Sequence, residues 1–195
     1  MKMKRLFNQS FLLTIGFVLF LAFYGCHSRQ EAHDVSSTVD YASQGDSITT
    51  LAQTALLQRV SQAMKEGGTG FAVEYCNLNA MPIMDSLSSH HRVRIERLSD
   101  KNRNPANAIA SQVDKNAWDS LSLGKTNILE QSGDNTVYYK PIKLGMATCL
   151  KCHGDKEEIT PEVQEIIRTK YPNDLATGYH QGDLRGMWKV TFVNQ

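Results

Sequence analysis

The sequence predicts an α+β domain in which helices come first, a mostly antiparallel sheet follows, and a cysteine motif is held between the strands. Three observations carry this. Apolar residues recur at helical spacing between Ile48 and Met64. From Val93 onward come short strand-like runs, the first of which roughly alternates apolar with charged residues as a half-buried strand does. Helical and strand-like segments are segregated along the chain, which separates α+β from an alternating α/β pattern.

The 195-residue chain opens "MKMKRLFNQSFLLTIGFVLFLAFYGCHSRQ", with Lys2, Lys4 and Arg5 ahead of an apolar run from Phe11 to Tyr24. That run has about the length of a signal-peptide core and is short for a membrane span. Gly25-Cys26, where apolar character stops, resembles a bacterial lipobox, in which the cysteine is acylated and becomes the mature N-terminus. Phe23 and Tyr24 are bulkier than such a site usually carries, and an uncleaved anchor is the alternative. Residues 1–25 are therefore expected to be a lipoprotein signal peptide. The rest is expected in the cell envelope, tethered by lipid on Cys26 to a membrane and facing the periplasm or extracytoplasmic side. Residues 26–46, rich in Ser and Asp, read as a flexible stalk, and residues 47–195 as one domain.

Asp46 or Ser47 is expected to cap a helix carrying Ile48, Leu51, Ala55, Leu56, Val60, Ala63 and Met64 on one stripe, until Gly67 and Gly68 stop it. "FAVEYCNLNAMPIMDSLSSHH" continues as helix, with an interruption expected near Pro82. "RVRIERL" reads as a strand, "KNRNPANAIA" as a loop, and "DKNAWDSLSL" as a short helix ending at Gly124. Strands follow at "NILEQS", "TVYYKPIKL" and "GMWKVTFV", and Thr160-Pro161 opens the helix "TPEVQEIIRTK". With 21 basic and 20 acidic residues and a net charge of +1, no basic stripe recommends nucleic acid.

"GMATCLKCHGD" places Cys149 and Cys152 two residues apart and His153 directly after them. In a c-type cytochrome two such thiols add across the haem vinyl groups as thioethers and the following His ligates iron. Zinc needs two further ligands, and the remaining thiol, Cys76, is alone. A redox dithiol would open a helix within a βαβ pattern. One covalent haem c is the expected cofactor, with His153 as its proximal ligand.

The second axial ligand has many candidates: Met64, Met81, Met84, Met146, Met187, His90, His91, His180 and Cys76. Met on an apolar helix face is usually core, and adjacent His90 and His91 read as solvated. Met146 is too close to the motif to reach the opposite face of the ring, whereas His180, in a turn-rich loop, is a chemically fair ligand. An unpaired thiol outside the cytoplasm is a liability unless buried or bound, so Cys76 is either an inert core residue or a thiolate ligand.

"YCNLNAMPI", "KNRNPANAIASQVDKNAW", "CLKCHGD" and "YPNDLATGYHQGDLRGMWKV" together resemble the family of single-haem c-type domains long filed as a domain of unknown function, exemplified by a cyanobacterial protein found with photosystem II. The resemblance spans roughly residues 50–193. It implies a PAS-like fold, a haem held by C-x-x-C-H, His153 on one side of the iron and Cys76 on the other, with "RNPAN" in the pocket wall. Guanidinium chemistry suggests in addition that Arg103 pairs a haem propionate. "IASQVDKNAW" is longer than the segment usual in that family. The expected function is a redox or diatomic-gas sensor working with an unidentified redox or signalling partner. An electron carrier is the alternative, and a small haem enzyme is disfavoured because no acid–base constellation is evident.

Overall fold

The computed structural model describes residues 40–193. The expected lipidation residue Cys26 and the signal segment lie outside the described residues. Helix α1 spans Tyr41–His91 and is interrupted at Gly68, whose φ of 78° is readily reached only without a Cβ. The break folds the helix back on itself. As a straight rod it would hold Ile48 and Met84 about 54 Å apart, yet both belong to one buried cluster with Ala52 and Ile95.

Two expectations about α1 are corrected. The helix starts within the stretch read as stalk, because Asp40, rather than Asp46 or Ser47, accepts the Ser43 amide at 3.0 Å and caps it. Asp46 is engaged elsewhere, by Lys140 Nζ at 2.7 Å. Nor does Pro82 interrupt the backbone, which leaves helical dihedrals only at Gly68. Proline removes one bond, to the carbonyl of Leu78; that residue is 72% exposed, so water can take the missing donor's place.

Strand β1 (Arg94–Leu98), helix α2 (Gln112–Ser122), β2 (Ile128–Ser132), β3 (Asn135–Lys143), the one-turn α3 (Leu150–His153), α4 (Pro161–Lys170) and β4 (Leu184–Phe192) follow. All four strands lie where the strand-like runs placed them, in one antiparallel sheet of order β1-β4-β3-β2. The pleat sends successive side chains to opposite faces. Tyr138, Trp188, Val190 and Phe192 pack under α1. Tyr139, Val137 and Met187 pack on the other face against Ala117 and Leu121 of α2. On that second face Asp114 accepts from Tyr139 Oη at 2.7 Å and pairs with Lys189 Nζ at 2.8 Å, tying α2 to the sheet. The fold is α+β, as the order of helical and strand-like segments predicted, and consistent with the PAS-like domain that the family resemblance implied.

Candidate functional site

Between α1 and the β1 end of the sheet lies a cavity of about 440 Å³. Its wall takes Leu56, Val60 and Met64 from the first arm of α1 and Val73, Cys76, Ala80 and Met81 from the second. Arg97, Arg103 and Arg185 line it from β1, the loop after it and the start of β4, and the segment between β3 and β4 brings Cys149, Cys152 and His153. Five of the residues singled out from the sequence, Cys76, Arg103, Cys149, Cys152 and His153, thus share one space. Val73, one turn before Cys76, packs in the same cluster as Ile159, Val163 and Cys152, so α1 is held against the cysteine motif by ordinary apolar contact.

The motif is stitched to the loop that follows α4. His153 O accepts from Tyr179 N at 3.0 Å and Gly154 O from Gly178 N at 2.8 Å. A Cβ on Gly154 would come within 2.7 Å of the Leu150 carbonyl, so the turn after the histidine needs glycine. His153 Nδ1 lies 2.8 Å from the Ala176 carbonyl. A carbonyl only accepts, so Nδ1 carries the proton and Nε2 is left with a free lone pair. Arg185 Nε, 3.4 Å from the same nitrogen, is a donor facing a donor and acts as a nearby cation. Burial, with the Arg103 and Arg185 charges, holds the imidazole pKa well below its usual range, so the ring is neutral, the form that ligates a metal.

Arg103 anchors this arrangement. Its Nε and Nη2 donate to the two Asp174 carboxylate oxygens at 3.0 and 3.1 Å, and Nη2 also reaches Cys152 O at 2.6 Å and Ala176 O at 3.3 Å. The side chains are 11% and 8% exposed. The contacts make Arg103 a positioning residue for the motif, and only Nη1 remains for the propionate pairing expected from the sequence.

The structure narrows the candidate iron ligands. Met84 and Met187 are buried in the two cores of the sheet. His90 and His91 stack edge-to-face at the end of α1, away from the cavity wall. His180 is exposed between Asp155 and Asp183. Cys76 remains in the wall with Met64, Met81 and Met146. Burial raises the Cys76 thiol pKa against the opposing pull of Arg97 and Arg103.

Other readings of C-x-x-C fit less well. Among the described residues no cluster of three or more His, Cys, Asp or Glu is placed to hold a metal ion, whereas a structural zinc takes four such ligands. Cys149 does cap the one-turn α3, but between antiparallel strands, and burial pushes the Cys152 thiol up to about 11, the opposite of an activated dithiol.

Sequence reasoning missed Arg97, Asp174, Ala176 and Arg185. For Arg97 a signal existed: strand alternation places it in phase with the buried Ile95, so a cation on the inner face of β1 was written in "RVRIERL". The Ala176 contact is made by backbone and leaves no trace in residue type.

Fold and site together define a PAS-like α+β domain with a C-x-x-C-H motif opening into an apolar cavity walled by arginines. The chain belongs to the Tll0287-like family, whose model matches residues 27–192. This is the family that the four sequence motifs resemble. The crystal structure of the cyanobacterial heme-protein Tll0287 is similar to the chain with a TM-score of 0.59 and 24% sequence identity, covering 78% of this chain and 98% of that one. At that identity the likeness establishes the shared fold. No curated protein matches the chain.

Proposed function

We propose that the chain is an exported, lipid-tethered c-type haem protein of the cell envelope, with one haem, that works as a redox or diatomic-gas sensor rather than as an enzyme. One observation carries this: the C-x-x-C-H motif, a histidine with its Nε2 lone pair free and a cysteine on a facing helix line a single cavity. The haem content of the similar cyanobacterial protein and the family membership support it. Cys149 and Cys152 would hold the haem by thioethers, and His153 Nε2 and Cys76 would be the residues offered to its iron. The bound group supplies one-electron chemistry and an iron coordination site. The chain's own residues set its orientation: Ala176 O and Tyr179 N fix His153, while Arg103 and Asp174 hold the Cys152 backbone. The two arms of α1 give the cavity an apolar wall, and its described residues include neither a carboxylate nor a second imidazole for acid–base catalysis.

The sensor reading rests on Cys76 as a soft thiolate that can be displaced. A second reading, electron transfer, is favoured by the exposed Lys143 and Met146 in the wall, which bring one side of the cavity to the surface. The deciding experiment begins with a denaturing gel stained for haem. Wild-type protein should retain haem, and Cys149→Ala/Cys152→Ala should lose it. CO or NO is then added to the oxidised and reduced forms. Binding by the reduced form alone supports the sensor; a reduced protein that ignores both gases leaves electron transfer.

A further inference from the structure

The cavity wall is lopsided in charge: it contains Arg97, Arg103, Lys143 and Arg185 and no aspartate or glutamate. Two of these cations are accounted for. Arg103 is paired with Asp174, and Lys143 is exposed to water. Arg97 is not. Its Nε is buried with no hydrogen-bond partner, and alternation along β1 turns the side chain inward with Ile95. Arg185 has only neutral partners for its Nη1, Ser99 Oγ at 3.1 Å and the Lys101 carbonyl at 3.2 Å, and lies over the Tyr179 ring. Neither arginine makes an ion pair among the described residues. Both side chains are half-buried; an uncompensated guanidinium taken even partly out of water is costly, and a fork of N–H donors is matched best by a carboxylate.

We propose that Arg97 and Arg185 form a binding site for two carboxylates and receive the propionates of the haem, a role that the sequence suggested for Arg103. The inference rests on the haem reading above. Two unpaired cations meet two ligand carboxylates, so the buried charge closes. The site also gives the cavity a polar end, fixing which edge of a planar dianionic ligand enters first.

The test uses purified full-length holo-protein: wild type, Arg97→Gln, Arg97→Lys and Arg185→Gln. Resonance Raman propionate bending bands, the pH dependence of the midpoint potential and the ferric thiolate paramagnetic signature are measured on each. Each Gln variant should shift a propionate band and add a pH-dependent step as the released carboxylate titrates. Each should also change the ferric-to-ferrous ratio about tenfold toward ferric, or about 59 mV, because a positive charge near the iron is lost. The thiolate signature should stay that of the wild type. Arg97→Lys, which keeps the charge without the fork, should hold most of the potential while still moving the band, and it covers the case in which Arg97→Gln fails to fold. Propionate bands and pH profiles unmoved in all variants would overturn the proposal. So would a change confined to the thiolate signature, which would assign Arg97 to Cys76. A wild type without a pyridine haemochrome spectrum would overturn the haem reading itself, an outcome visible before any variant is made.

Discussion

Asp174→Asn keeps the shape of the side chain that pairs with the cavity-wall residue Arg103 and removes its charge. The carboxylate accepts two bonds from Arg103, at 3.0 and 3.1 Å, and one from the Ala176 amide at 3.0 Å. Asparagine offers one acceptor oxygen and turns an NH2 donor toward the guanidinium, leaving the cation with the carbonyls of Cys152 and Ala176. Breaking a buried pair by removing one partner costs about 3–5 kcal/mol. Because one acceptor survives, the lower end, about 3 kcal/mol, is expected. At about 2–4 °C per kcal/mol for a domain of this size, the melting temperature should fall by about 9 °C. Circular dichroism of the holo-protein reads it. Glu165→Gln, at the exposed Glu165–Arg168 pair, is the control and should leave the melting temperature where it was. A fall of less than about 3 °C for Asp174→Asn, near 1 kcal/mol, would show the pair to be no stronger than a solvated one and would refute the assignment of Arg103 as the anchor of the motif.

Cys76→Ser should abolish the ferric low-spin thiolate signature and raise the midpoint potential, and Cys76→Met should raise it further, because an electron-rich donor favouring ferric iron has been lost; wild-type spectra typical of Met or bis-His ligation would remove Cys76 as the ligand. For Asp114, burial alone would raise the carboxyl pKa, but hydrogen bonds from Lys189, Ser111 and Tyr139 outweigh it and hold it below the usual value. A depressed folded pKa means stability that is present above the unfolded value near 3.9 and lost as pH falls through the folded one. Asp114→Asn should therefore lower the urea midpoint at pH 7, with the gap to wild type closing in strong acid; a gap constant with pH would contradict the linkage. Mass spectrometry of the native protein should find an acylated N-terminal Cys26, and an unmodified Cys26 still joined to Gly25 would end the lipoprotein reading.

What the sequence determined by itself are the features written in local periodicity and spacing. β1 follows from alternation and the other strands from strand-like runs, the turn of α1 at Gly67 and Gly68 from two adjacent glycines, α4 from Thr160-Pro161, and the C-x-x-C-H motif is two cysteines and a histidine in fixed succession. Each is decided within a few residues, by dihedral freedom, by the period of the backbone or by the geometry of one turn. Tertiary structure decided which side chains face one another. Asp40 caps α1 while Asp46 pairs with Lys140 on a distant strand, and Pro82 stays helical with its neighbouring turn open to water. Met84, Met187 and His180 were chemically eligible ligands until packing turned two into the cores and one to solvent. Arg103 became an anchor because Asp174, remote in sequence, was folded against it, and His153 acquired its tautomer from the backbone carbonyl of Ala176. A contact between segments far apart in the chain depends on how the helical hairpin, sheet and loops pack as solids, and a backbone carbonyl is the same for every residue type. Spacing therefore named the candidate residues that share the cavity, while their orientation and charge balance came from the fold.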